Sequence, residues 1–550
     1  MIHKVTILYF IVCNMNIIIV GGGTAGWMTA TTLLSEFPNK KITLVESPNI
    51  SNIGVGESTV AGGQSGFQGI ANWLNLVGIN DLDFMPHCDS IYKLSIAFKD
   101  WYRKDSGTFH YPFGQPRVLP NIGLDDWYFK KIFFPQASPT SDYANNFFPG
   151  MVLVNQNKSL FTDSFNSNSD HSELNEINDE VQLHSRYSYQ FDATKFGIWL
   201  KDNYCNKFSN FTHILGEVEK ASLDDNGIKY LILDDGRRLK ADLFIDCTGF
   251  KSLLLKEFDV PFIHIDNYLT NNLAWATKIP YKDPETQIVN YTNCTAIDNG
   301  WVWEIPLWSR MGAGYVFSDE FVTKGHALCE FKAELQKKGY EDVEELDYHL
   351  ISMRCGIHSK LWVKNTCAIG LSAGFIEPLQ SNGLHCTYQF LFNLCRILER
   401  DHVSEWDRKE FTTKCHDDYY GFAATVVTNY ALSHRDDSKY WREIQNKKWP
   451  EELFSPNCND LSGKFHQAYR DRQFNNQFNS YSPVHILAAG MNWNPTDVHS
   501  IKYGGGNLDI MKKIAFIHAM KLEERQKNWK NQIKDFPSPY QYLKKNIHES

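Results

Sequence analysis

An almost wholly apolar run, Asn16-Ile-Ile-Ile-Val20, leads straight into Gly21-Gly-Gly-Thr-Ala-Gly26. No other junction in the chain constrains the fold as strongly. Such a run marks a short strand buried on both faces. Residues 27–34 then carry the apolar spacing and small side chains of a helix packed tightly on a sheet. Lys41-Ile-Thr-Leu-Val45 is a second strand, closed by Glu46. The unit is βαβ. Gly21, Gly23 and Gly26 form G-x-G-x-x-G, in which the first glycine permits the tight turn and the second lets backbone approach a pyrophosphate. The third lets helix and strand close together. Thr24 and Ala25 open the helix, whose amide donors and positive dipole end suit phosphates. Glu46 lies 20 residues beyond Gly26, where a carboxylate can accept from ribose hydroxyls. The pattern predicts dinucleotide binding.

At 550 residues the chain suffices for roughly two to four domains, or one with heavy insertions. A net charge of −9, with no long basic run, excludes nucleic acid as the main partner. Twelve cysteines are scattered without C-x-x-C or metal-ligand spacing, which predicts free thiols, a reducing cytoplasmic setting and no metal. No apolar run approaches the roughly 20 residues of a membrane helix. Residues 5–13 have the length of a signal-peptide core, yet lack a small-x-small cleavage site. Residues 1–14 therefore read as an extension outside the fold, with Met15 as the functional start.

The remainder predicts an α/β protein. Residues 15–400 form the nucleotide-binding core with β-sheet insertions, and residues 401–550 a mainly helical subdomain. Residues 163–180 are polar and read as a surface loop. Residues 228–250 are β-rich, with a turn at Asp235-Gly236, and residues 384–399 read as a buried helix.

Two further segments separate FAD from NAD. Asp242-Leu-Phe-Ile-Asp246-Cys-Thr-Gly-Phe250 resembles the strand that returns to the dinucleotide in FAD-dependent oxidoreductases. Cys367-Ala-Ile-Gly370-Leu371-Ser-Ala-Gly resembles the later strand and loop of the flavin monooxygenases, with Leu371 where the aromatic hydroxylases place an aspartate. Three ordered segments of this kind predict FAD in a Rossmann-like fold of the flavin monooxygenase type.

Trp301-Val-Trp303-Glu-Ile305-Pro306 matches W-x-W-x-I-P, and Phe375-Ile-Glu-Pro-Leu-Gln380-Ser381-Asn382-Gly383 matches F-x-x-P-x-x-S-x-G. Together they resemble the flavin-dependent halogenases, best known from the tryptophan halogenases. The likeness covers nearly the whole chain from Met15 and is weakest after Arg400. It implies FADH2 from a separate flavin reductase, O2, a halide ion and an aromatic small-molecule substrate. It also implies that the tryptophan motif lines the flavin region. Ser381, Asn382 and Gly383 then hold halide at the start of a helix, where amides favour an anion. A simple helix cap is the alternative. Lys93, before an apolar strand ending in Trp101, matches the family lysine that directs hypohalous acid or is converted to a haloamine. Gly54-Val-Gly56-Glu-Ser-Thr resembles the family G-x-G-E-[AS]-T, which adds Gly56 to the cofactor residues. His110 and Phe113 resemble the pair that encloses the indole. A homodimer follows by analogy only.

Two positions depart from the pattern. The tryptophan halogenases carry glutamate where this chain has Gln380, and an amide is no base near neutral pH. The segment beginning at Ser480 lacks the tyrosine pair that grips the amino-acid end of tryptophan, with Pro483 and Val484 near its place. The second departure points to an indole or related electron-rich ring rather than free tryptophan. An aromatic hydroxylase and a catalytically impaired FAD-binding protein stay open as alternatives.

Overall fold

The computed structural model describes residues 15–49, 69–124, 126–167, 180–400, 402–447, 483–493, 498–503 and 505–549. Gly56 and its motif, the extension 1–14, Ser480 and most of the polar loop 163–180 lie outside the described residues.

β1 (Asn16–Val20), α1 (Thr24–Glu36) and β2 (Lys41–Glu46) form the predicted βαβ unit. β1 is buried on both faces because it lies near the centre of a six-stranded sheet. Leu243–Asp246 flanks it on one side and β2 on the other, both parallel to it. Thr366–Ala368 and then Trp362–Val363 extend one edge, and a strand at Phe211–Leu215 ends the other. All three segments expected to meet the dinucleotide therefore enter one sheet. The Asp235-Gly236 turn joins Gly227–Leu233 to Arg238–Leu239, with Gly236 at φ 82°.

A second, seven-stranded sheet carries the tryptophan motif. Its order is His349–Ser352, Leu273–Pro280, Arg310–Phe317, Gly300–Pro306, Tyr291–Ile297, then β4 (Ser95–Lys99) and β5 (Thr108–Pro112). β3 (Ile91–Lys93) precedes β4 and pairs with Ser188–Gln190 instead.

Beyond Arg400 the described residues are helical, the longest helices being Glu405–Ala431 and Leu508–Gln532. They pack back onto earlier elements. Trp529 Nε1 donates to Glu180 at 2.6 Å, and a Cβ at Gly490 would lie 2.1 Å from the Phe109 ring on β5. Among the described residues no helix is long and apolar enough to cross a membrane, and no group of ligands could hold a metal ion.

Candidate active site

The glycine-rich loop is shaped by its neighbours. Gly21 has φ 119°, and a Cβ there would lie 2.3 Å from the Cys247 carbonyl oxygen. A Cβ at Gly26 would lie 1.9 Å from the Gly21 carbonyl oxygen, so helix and strand close only without a side chain. Gly23 caps α1 without a side-chain hydrogen bond, which suits the first-turn amides of Thr24 and Ala25 to a phosphate. Glu46 stands at the end of β2 beside this loop and contacts His213 Nε2 at 2.9 Å. Gly370 packs against the same helix start, a Cβ there lying 2.7 Å from that of Ala25, and half-buried Leu371 follows it. This cradle of close-packed backbone around a helix N-terminus fits a dinucleotide.

Asp246 ends its strand just before Cys247, whose carbonyl oxygen faces Gly21. Its carboxylate accepts from Thr248 N and Oγ1, Leu254 N and Leu255 N, at 2.7–3.0 Å. It therefore fixes the loop that follows its strand.

Lys93 ends β3 at 0% exposure, opposite Ser188. Its Nζ lies 5.7 Å from the centre of the Phe113 ring, so the structure brings these two residues together. The position follows from backbone: Leu94 N donates to Asn290 O at 2.7 Å and Phe113 N to Leu94 O at 2.8 Å. Burial pushes the Cys294 thiol up to about 12, and the Lys93 charge opposes that rise. Cys294 is the register partner of Trp303, so the tryptophan strand lies within reach of the lysine's charge. His110 faces Ala97 across the β4–β5 pair. Its Nδ1 lies 3.0 Å from Ser95 Oγ and its ring meets Tyr291 edge-on. Burial of the imidazole lowers its pKa to about 4, so it is neutral near pH 7. Lys99, the next lysine in the chain, is half-buried at the end of β4.

Trp301 and Trp303 are both buried, with ring centres 6.1 Å apart, while Ile305 is half-buried and Pro306 buried. A Cβ at Gly314 would lie 2.0 Å from the Trp303 ring, so that glycine makes room for the indole. Trp303 Nε1 is buried without a hydrogen-bond partner among the described residues.

The second motif forms a strained turn. Gln380 (φ 70°, ψ 6°) and Ser381 (φ 56°, ψ 47°) are successive left-handed residues, neither of them glycine. Each such residue costs on the order of 1–3 kcal/mol. The helix Asn382–Leu398 begins directly after them, two residues earlier than the expected start at residue 384. The Gln380 side chain is buried, and neither of its amide atoms has a partner among the described residues. Asn382 Nδ2 caps the Leu379 carbonyl at 3.1 Å. A Cβ at Gly383 would meet nothing within 4 Å. Open space, a helix start and an unpartnered buried amide fit a small anion.

The two motifs touch through a residue that local sequence gives little reason to single out. Glu377 is fully buried and accepts from Trp301 Nε1 at 3.1 Å, Asn271 Nδ2 at 3.1 Å and the Tyr430 hydroxyl. Asn271 and Tyr430 lie 106 and 53 residues away in sequence. The only local signal is an acidic residue inside an otherwise apolar, proline-bearing segment.

The tryptophan halogenase family profile matches residues 16–503. The tryptophan 6-halogenase SttH of Streptomyces toxytricini is 30% identical over 80% of this chain and 82% of its own length. The 7-chloro-L-tryptophan 6-halogenase KtzR of Kutzneria is 32% identical over 79% of this chain and 83% of its own. The solved apo structure of VirX1 superimposes with a TM-score of 0.81 at 32% identity, covering 97% of this chain and 99% of that one. The chain belongs to the tryptophan halogenase family and is a flavin-dependent halogenase.

Proposed function

We propose that the protein uses FADH2 from a separate reductase and O2 to turn chloride or bromide into an electrophile. The electrophile goes to an electron-rich aromatic ring, an indole or a relative of it other than free tryptophan. FAD supplies the oxidising chemistry when bound, held by the loop Gly21–Gly26, Glu46 and Gly370. Ser381, Asn382 and Gly383 hold the halide, with the Gln380 amide beside them as a neutral donor. Lys93 holds and aims the halogenating species, Phe113 and His110 wall the substrate space, and the tryptophan motif keeps organic substrate from the flavin.

One observation carries this reading. A lysine with no solvent exposure sits against an aromatic ring, in a strand leading into the sheet that bears Trp301 and Trp303. A lysine is rarely taken wholly out of water, and this one is held where the aromatic motif and Phe113 lie. With Gln380 in place of a carboxylate, the ring proton leaves to water or to the Lys93 amine. The test is purified protein with FAD, a flavin reductase, NADH and bromide on a panel of indoles, phenols and free tryptophan. Mono-brominated indole or phenol is the expected product by mass spectrometry. Oxygen insertion would make it a hydroxylase, and exclusive bromination of free tryptophan would overturn the substrate assignment.

A further inference from the structure

Three side-chain donors converge on the Glu377 carboxylate. Trp301 Nε1 and the Tyr430 hydroxyl donate to Oε1, and Asn271 Nδ2 donates to Oε2. The Asn271 amide is itself oriented, because its Oδ1 accepts from the Tyr440 hydroxyl at 3.1 Å and its Nδ2 also reaches the Tyr430 oxygen at 2.9 Å. Trp301 belongs to the tryptophan strand. Tyr430 and Tyr440 belong to the helices Glu405–Ala431 and Lys439–Asn446. Three residues after Glu377 the chain enters the strained turn at Gln380 and Ser381.

We propose that Glu377 is a positioning residue that locks the tryptophan strand, the turn at Gln380 and the C-terminal helices together, and does so fully only as the carboxylate. The proposal rests on the halogenase reading of that turn. An indole N–H can only donate, and so can the Asn271 Nδ2. Of these three partners, only the Tyr430 oxygen can accept from a protonated Glu377, and using it turns the Tyr430 hydrogen away from Oε1. Protonation loosens the lock.

The titratable groups that face Glu377 are few. The buried phenols of Tyr430 and Tyr440 and the buried thiol of Cys355 are all held neutral by burial. Lys447 is the cation whose field favours the carboxylate. Burial outweighs that field and the three donors, and lifts the Glu377 pKa from 4.5 to about 7. The lock therefore opens and closes within the range in which the enzyme is assayed.

The experiment measures halogenated product per NADH consumed, with FAD-loaded protein, reductase and bromide, from about pH 5 to about pH 9. Thermal unfolding of the flavin-free protein is followed over the same range. In the wild type, yield rises through a limb centred near pH 7. Glu377→Gln loses that limb while still binding FAD. Tyr430→Phe removes one donor to the carboxylate and moves the limb upward by about one to two pH units. A limb unchanged in both variants overturns the proposal. If the wild type makes no halogenated product, the functional reading fails separately, and the melting curves decide. There Glu377→Gln must lose the pH-dependent change that the wild type shows below about pH 7, and an unaltered dependence overturns the lock. Should Glu377→Gln not fold, the upward shift in Tyr430→Phe carries the same test, and its absence overturns the proposal.

Discussion

Lys93 Nζ stands 5.7 Å from the centre of the Phe113 ring, and both residues are buried. An ammonium over an aromatic face in a water-poor site gains up to about 2 kcal/mol. The same ring shields the amine from solvent. Phe113→Ala is expected to lower the halogenation rate roughly tenfold or more while flavin oxidation continues at its normal rate. Parallel assays of product and NADH consumption check this, and an equal fall in both would remove Phe113 from the amine's surroundings.

Gln380→Glu places a carboxylate at a buried position where the native amide has no partner among the described residues. A negative charge beside an anion site repels the anion. The expected outcome is a rise of roughly tenfold in the KM for bromide, with FAD affinity unchanged. Loss of FAD affinity instead would mean that the turn holds cofactor.

Gly314→Ala drives a Cβ to within 2.0 Å of the Trp303 ring. The sheet backbone cannot move without disturbing its pairing to Gly300–Pro306, so the indole must yield. The cost is about 1–3 kcal/mol of stability, read as a fall in Tm. The freed ring should also lower product yield per NADH consumed.

Glu377→Gln has a calculable signature in stability against pH. The folded protein holds this proton up to about pH 7, against 4.5 ordinarily. The group's contribution is therefore fully present below about pH 4.5 and is lost as pH rises through about 7. For the wild type that loss amounts to about 3 kcal/mol. The variant escapes it, so the Tm of the variant relative to wild type climbs between pH 5 and pH 8. A flat difference would show that the carboxylate is ionised throughout. Ionising Glu377 thus weakens the fold while it tightens the site.

What the sequence made legible is what depends on neighbours in the chain. The βαβ unit follows from the unbroken apolar run of Ile17–Val20 beside the glycines, since burial on both faces leaves no polar alternation. The tryptophan strand and the helix after Ser381 are similarly local. The Glu377 network is not, because Asn271, Tyr430 and Tyr440 come from three distant segments and carry no mark of their meeting. Asp246 shows the converse. Its motif is local, while its carboxylate also binds the amides of Leu254 and Leu255, a demand set by a loop whose path the motif does not encode. The joining of Lys93 to the tryptophan sheet is also tertiary. It depends on β4 pairing with Tyr291–Ile297, nearly 200 residues away.

In the proposed reaction, oxidant is generated at the flavin and used where Lys93 lies. Lys93→Ala, assayed beside the wild type with FAD, reductase, NADH, bromide and an indole substrate, tests it most directly. The expected result is unchanged NADH consumption, peroxide released in place of brominated product, and FAD affinity retained. Brominated product at the wild-type rate from the alanine variant would contradict it.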